Sequence, residues 1–343
     1  MNNKVQKYSP DFENEYKHFV ENHFESMFFQ SDSYIKLLSE LLNCKEEHLL
    51  YFEDDVIKGV LPLMSKTGIY GKVYNSLPYY GSNGGVLANT KEIAFELIKE
   101  YNNLILEVDV ASSTCVENPL LKNNYKESII HNETDYRIGQ FTSISYSENH
   151  ADKLIESFHY KTRNMVRKGM KSGLHVKVDN TAIDFLADTH ENNMKAIGGK
   201  PKLRIFFDLI TKHFVADKDY KIWVAYNEDK PVAALLLFYY RDMVEYYSPV
   251  IVEEYRDKQP LSLLIYEAMI ESSQRGFNLW NWGGTWANQD GVYTFKKRWG
   301  TFEKNYEYYI QINNSEIYSS NKDVLLKEYS DFFVLPFNLL KQN

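Results

Sequence analysis

Cysteine is nearly absent from this 343-residue chain; Cys44 and Cys115 are the only two. Two thiols cannot build a disulfide framework, so both are expected free and buried. Neither belongs to a Cys/His cluster at ligand spacing, and no metal site is expected. Long hydrophobic runs are missing too. The longest strongly apolar stretch, Val232 to Tyr240, has 9 residues, about half of the ~18–20 needed to span a bilayer. The first residues lead into polar, acidic sequence without the apolar segment of a secretory signal. The expectation is a cytoplasmic protein with no transmembrane segment. There is no basic excess either: 39 Lys+Arg face 47 Asp+Glu, a formal charge of −8. That excludes a general coat of positive charge for nucleic acid.

What is abundant is aromatic: 27 Tyr, 20 Phe and 5 Trp, 15% of the chain. Such an excess serves dense cores, a ligand cleft, or both. Charge is unevenly spread. Residues 1–150 hold 13 Lys+Arg against 22 Asp+Glu, and the remainder 26 against 25. The shift suggests a first domain over 1–150, a second over 151–315, and a tail over 316–343. In the second half, apolar spacing predicts a single helix from Asp152 to Lys171, then a short strand and two helices. A meander of three strands, a long helix from Pro260 to Arg275, and a strand over Asn278–Trp282 follow. This pattern reads as α/β with a mixed sheet. Leu49 to Leu61 and Val224 to Leu236 align at an offset of 175 residues, with Tyr51, Glu53 and Asp54 on Tyr226, Glu228 and Asp229. Both read as hairpins through an acidic turn, which suggests an internal duplication.

Four segments carry chemistry. Asn278 to Gly300 (NLWNWGGTWANQDGVYTFKKRWG) holds four of the five tryptophans, with Gly283-Gly284 expected to end the strand. A Gly-Gly turn at a strand's C-terminal end is where α/β sheets place ligands. Its alternative is a core strand end followed by a solvated basic helix. His159 to Lys177 holds six cations and no acid, including Lys161, Arg163, Arg167 and Lys168. Arg163 and Arg167, at i and i+4, could grip a phosphate or diphosphate, or simply line a solvated face. Tyr74 to Leu87 is a Gly-rich aromatic loop without phosphate-loop spacing. Val252 to Met269 resembles the segment of the GNAT acyltransferase superfamily that wraps the acyl-CoA pyrophosphate at a helix N-terminus. Arg256 is in place there, but Gln259 and Leu261 stand where small residues belong, and Pro260 removes one N–H donor.

Together these pieces resemble the Fem family of peptidoglycan-bridge aminoacyltransferases and its BioF2-like tandem-GNAT relatives. Gln30-Ser31-Asp32-Ser33-Tyr34-Ile35-Lys36 is similar to the family's Q-x-x-x-W-x-K segment. Lys161-Thr162-Arg163 through Gly173 is similar to its K-T-[KR] helix, and Leu279 to Gly284 with Val292-Tyr293-Thr294-Phe295-Lys296 to its ending. The resemblance implies two tandem GNAT-like domains around a shared cleft, the first with a degenerate donor site. The short Ile197–Pro201 turn stands where larger members insert a coiled-coil arm, so no arm is expected.

The resemblance also implies roles. Lys36, Tyr34, Lys161, Arg163, Arg167 and Lys168 would bind the diphosphate end of a nucleotide-linked peptidoglycan or glycan precursor. Gly283, Gly284, Trp286, Phe295 and Lys296 would form the donor end. Lys296 would stabilise the oxyanion of acyl transfer. The implied co-substrate is aminoacyl-tRNA, engaged by its acceptor end, with acyl-CoA held near Arg256 as the alternative and no tightly bound cofactor. A third possibility is a non-catalytic precursor-binding protein. Monomer and dimer both stay open, since the apolar tail Phe332–Phe337 could dock on its own chain or on a neighbour.

Overall fold

The computed structural model describes residues 4–79, 83–121, 125–147, 149–286 and 288–341. Tyr80, Gly81 and Ser82 of the Gly-rich loop and Ala287 of the tryptophan-rich segment lie outside the described residues. Two compact units result: Met1–Arg137 with Asn305–Asn343, and Ile138–Lys304.

The first unit opens with β1 (Val5–Lys7), α1 (Glu13–Asn22), α2 (Asp32–Leu42) and β2 (Lys45–Glu46). Strands β3 (Leu49–Glu53), β4 (Val56–Leu61), β5 (Met64–Gly68), β6 (Gly71–Asn75) and β7 (Leu87–Ala88) follow. Helix α3 (Lys91–Ile105) then crosses over to β8 (Val110–Val116), which pairs parallel with β6. The α3 sequence dictates its burial: Ile93, Leu97, Ile98, Tyr101, Leu104 and Ile105 recur at helical spacing and are all buried. Thr90 caps it, its hydroxyl accepting from the Ile93 N–H. Gly59 lets the helix lie close to β4; a Cβ there would stand 2.6 Å from Ile93 Cγ2.

Strand β9 (Glu133–Ser143) leads into the second unit, whose helices are α4 (His150–Ser157), α5 (Tyr160–Met170), α6 (Ile183–Ala196) and α7 (Arg204–His213). Its strands are β10 (His175–Val178), β11 (Tyr220–Asn227), β12 (Lys230–Tyr240) and β13 (Met243–Ile251). Helix α8 (Pro260–Gln274), β14 (Leu279–Thr285) and α9 (Asp290–Lys297) complete it. The sheet order is β10-β11-β12-β13-β14-β9, antiparallel except for the parallel β13–β14 pair that α8 connects. Strand β12 is central, which explains the chain's longest apolar run. Ala233, Leu235, Leu237 and Tyr239 share a core with Leu264, Ile265 and Met269 of α8. Phe238, of the opposite parity, packs on Phe214 at 5.0 Å. A strand covered on both faces loses polar alternation.

The expected single helix over 152–171 is two helices. Phe158 is extended (φ −76°, ψ 149°) and breaks it. The carbonyls left open at the break are taken by Arg163, whose Nη1 donates to Phe158 O at 2.7 Å and Glu156 O at 3.2 Å. Gly283-Gly284, expected to end a strand, lies inside β14. The two segments read as a repeat, Leu49–Leu61 and Val224–Leu236, fall in the antiparallel β3–β4 and β11–β12 pairs, each with one irregularity of register.

The chain then runs through β15 (Phe302–Ile312), which pairs antiparallel with β8 through Tyr308–Ile312, and on to α10 (Lys322–Glu328). Residues 305–315 sit in the first unit rather than with 151–304, and Tyr308–Ile312 pair there with β8. The tail packs on the same unit: Ser112 Oγ donates to Val334 O at 2.7 Å, and Asn75 Oδ1 accepts from Phe333 N at 2.7 Å.

Candidate active site

The site is built where two parallel strands part. Strand β13 pairs with β14 only at Met243–Leu279, Val244–Trp280 and Glu245–Asn281. Beyond Glu245, β13 stays on β12, while Gly284 and Thr285 of β14 stay on β9. Bulges accompany the parting. The register shifts between Leu236 and Leu237 where β12 meets β13, and between Asn281 and Gly284 where β14 meets β9. A bulge bends its strand and strengthens the local twist, so the two strands diverge as a fork. Inner edges that no longer pair with each other leave backbone groups for a ligand.

Aromatic rings line the fork. Tyr246 is 4.8 Å from Trp282 between ring centroids, and Trp282 is 5.6 Å from Trp299 and 6.0 Å from Phe295. The indole of Trp282 donates to Thr142 Oγ1 at 2.9 Å, and that hydroxyl donates to Trp299 O at 3.0 Å. The tryptophan cluster is thus a tied wall of the second unit.

Helix α9 buries one residue, and it is a lysine. Lys296 is 7% exposed. Its Nζ donates to Gly283 O at 3.3 Å, Gly284 O at 3.1 Å and Thr285 Oγ1 at 2.9 Å. Thr285 in turn donates to Gln140 Oε1 at 3.2 Å, and Gln140 Nε2 donates to Tyr293 O at 3.3 Å. No carboxylate stands among these partners, so burial dominates and pulls the ammonium pKa down to about 8. A lysine has three N–H donors, and all three are engaged. Any further acceptor for Lys296 would have to replace one of these, and the Gly283 carbonyl, at 3.3 Å, is the weakest held.

The opposite rim of the fork carries Glu245, 2% exposed, whose Oε1 accepts from Asn281 Nδ2 at 3.0 Å. Burial raises its carboxyl to about 8. Sequence reading passed over Glu245, Asn281, Thr285 and Gln140. The available signal was an acid inside the apolar strand Met243-Val244-Glu245-Tyr246-Tyr247.

A second feature of this unit is a groove of about 610 Å³ lined by Asn164, Arg167, Lys168, Lys171, Ser172 and Lys258. Gly169 permits it by bringing α5 against the start of α8; a Cβ there would stand 3.0 Å from Leu263 Cβ and 3.1 Å from Gln259 O. Arg167, Lys168 and Lys171 are exposed and have no ion-pair partner among the described residues. Lys258 donates to the neutral Asn227 Oδ1 at 2.7 Å. Four cations without a lining carboxylate give this groove a positive potential.

The structure thus brings Gly283, Gly284, Phe295 and Lys296 together, and places Arg167 with Lys168 in the groove. Other expected residues stand apart. Arg163 caps the α4–α5 break and does not join Arg167. Lys161 is exposed on α5, outside the groove lining. Arg256 is ion-paired with Glu253 at 2.6 Å, and Lys258 occupies the groove in its stead. Trp286 follows β14 and is 43% exposed. In the first unit, Lys36 is closed by Glu13 and by Asp32 at 2.9 Å, and Tyr34 is buried against Phe28 and Phe29. No helix among the described residues is long and apolar enough to cross a membrane, and no group of His, Cys, Asp or Glu among them could hold a metal.

Residues 156–297 match the acetyltransferase (GNAT) domain. No curated protein matches the chain. Among solved structures, FemX is similar with a TM-score of 0.68 at 15% identity, covering 92% of this chain and 98% of its own. The C-terminal domain of a putative lysylphosphatidylglycerol synthetase from Agrobacterium fabrum gives 0.57 at 11%, covering 92% and 94%. A tandem GNAT protein from the clavulanic acid biosynthesis pathway gives 0.52 at 8%, covering 90% and 98%. The match thus falls within the second unit, and the chain as a whole has the mixed α/β fold of the tandem-GNAT type seen in these structures.

Proposed function

We propose that this chain is an N-acyltransferase that moves an aminoacyl group from aminoacyl-tRNA to an amine of a nucleotide- or lipid-linked cell-envelope precursor. One observation carries the reading: a buried lysine, free of any carboxylate, set against a backbone bulge at a fork between parallel strands. Attack of the amine on the ester carbonyl forms a C–N bond and a tetrahedral oxyanion. That oxygen takes the place of the Gly283 carbonyl on Lys296, whose charge stabilises it. Collapse breaks the C–O bond, and the departing ribose oxygen takes the proton lost by the amine. Alignment of the two substrates supplies most of the remaining rate. The groove of Arg167, Lys168, Lys171 and Lys258 would hold the phosphates of the carrier.

The alternative donor is acyl-CoA, with a C–S bond broken instead. Its support is the position of Lys258 next to the α8 N-terminus, together with the GNAT-domain match. The test offers UDP-linked muropeptide and amino-sugar nucleotides with radiolabelled aminoacyl-tRNA or acetyl-CoA in separate reactions. Label moving only from aminoacyl-tRNA supports the first reading. Label moving only from acetyl-CoA replaces it with the second, and tight precursor binding without transfer in either reaction would leave a binding protein.

A further inference from the structure

The reading of Lys296 raises the question of what fixes its ammonium group, since three of its contacts are to one short stretch of backbone and its flanking hydroxyl. In the β14–β9 ladder, Asn281 pairs with Phe141 and Gly284 with Gly139, so Trp282 and Gly283 together face Gln140 alone. The extra residue leaves the Gly283 peptide without its strand partners. Its conformation is left-handed, with φ +72°, and a Cβ there would meet nothing within 4 Å. No side chain anchors this half-buried peptide, so the partners of its N–H and C=O decide where it stands. The N–H donates to Asn281 Oδ1 at 2.8 Å. The C=O accepts from Lys296. The same Asn281 side chain turns its Nδ2 to Glu245 Oε1, at the last paired position of the fork. A continuous chain of contacts thus runs from Glu245 through Asn281 and the Gly283 peptide to Lys296, entirely within the second unit.

We propose that Asn281, braced by Glu245, is a positioning residue for Lys296: it fixes the Gly283 peptide, and through that peptide's carbonyl it sets where the ammonium group stands. An amide suits the task because it offers an acceptor to Gly283 and a donor to Glu245 at once. An ionised aspartate offers only acceptors and could serve Gly283 alone. The inference rests on the reading of Lys296 as the reacting cation only for its consequence in catalysis; the geometric claim stands without any substrate.

The test uses the full chain and two readouts that need no turnover. Exchange of the Gly283 amide is followed by NMR, and Lys296 is titrated by competitive labelling with acetic anhydride and peptide mass spectrometry. In N281A the Gly283 amide should exchange about tenfold faster, the loss of one net hydrogen bond. Water reaching the released lysine should move its titration from about 8 toward the ordinary 10.5. E245L should follow N281A, whereas E245Q, which keeps an acceptor oxygen for Asn281, should retain wild-type behaviour. If N281A does not fold, N281D preserves the acceptor for Gly283 and should keep that amide protected. A folded N281A with Lys296 titrating as in the wild type overturns the proposal, as does loss of Gly283 protection in N281D. E245L without effect, or a shift in E245Q, removes the brace. If these shifts occur but no donor supports transfer, the proposed function fails and the positioning role survives.

Discussion

Replacing Glu245 with glutamine should stabilise the second unit, and the gain should grow with pH. The carboxyl is 2% exposed, and burial raises its pKa from 4.5 to about 8. Between those values the unfolded chain has released a proton that the folded chain still holds. The stability contributed by the neutral carboxyl is thus complete below 4.5 and is lost as pH rises toward 8. At about 1.4 kcal/mol per pH unit, the loss by pH 7 is about 3 kcal/mol. Glutamine keeps the oxygen that accepts from Asn281 Nδ2 and cannot ionise. Its new amide group, if left without an acceptor, adds a pH-independent cost of about 1 kcal/mol. The slope is therefore the diagnostic, and the offset is not. Urea unfolding can be followed by tryptophan fluorescence, because Trp223, Trp280, Trp282, Trp286 and Trp299 all lie in the second unit. The two proteins should be close near pH 5 and diverge steadily toward pH 8. Stability curves that run parallel over this range would refute the reasoning, since Glu245 would then be hydrated or charge-compensated in the fold.

Three further outcomes are expected. Acyl transfer should decline as pH rises through about 8, where Lys296 loses its charge, and Lys296→Ala should lower turnover by roughly 10²–10³ while precursor binding persists; a pH–rate profile flat through this range would remove the cationic role. Arg167→Ala combined with Lys168→Ala should weaken the phosphate-bearing co-substrate and reduce the salt slope of binding by about one to two ion contacts. Arg256→Ala, whose charge already rests on Glu253, should leave that affinity unchanged; titration calorimetry at two salt concentrations separates the cases. Arg163→Ala opens the carbonyls of Phe158 and Glu156 and should cost about 1 kcal/mol of stability without altering co-substrate affinity, because its guanidinium serves the helix break.

The fold was legible in the sequence to the extent that local patterns dictate it. The meander, the long helix starting at Pro260 and the mixed sheet follow from apolar periodicity and from breakers that act over a few residues. The break at Phe158 was not legible, because apolar spacing continues across it. Arg163, reaching back to the exposed carbonyls, and His159, whose ring accepts from the Lys161 N–H, let the chain stop and restart there. Strand β15 shows a different limit. Its sequence says strand, but the partner that Tyr308–Ile312 find in β8 lies nearly 200 residues away.

The same distinction governs the site. Gly-Gly, the tryptophans and a lysine on a short helix are conspicuous within one segment, so Lys296 and the Gly283-Gly284 pair could be picked out together. The groups that decide how that lysine behaves lie elsewhere in the chain. Glu245 meets Asn281 only through the register of a parallel pair, and Gln140 meets Thr285 only through β9. Neither register leaves a local mark on sequence. The cationic helix makes the point in reverse. Arg163 and Arg167 share a helical spacing that suggests a common anion, yet spacing says nothing of what else a guanidinium can reach. Arg163 lies within 2.7 Å of an orphaned carbonyl and turns to it, whereas Arg167 has no such neighbour and keeps its charge for the groove. Lys258 replaces Arg256 for a related reason: Arg256 finds Glu253 three residues away, and Lys258 finds a neutral amide and the Tyr255 ring. Which cation remains available to a ligand is thus settled by the local competition for it, and that competition is visible only once the acceptors have been placed.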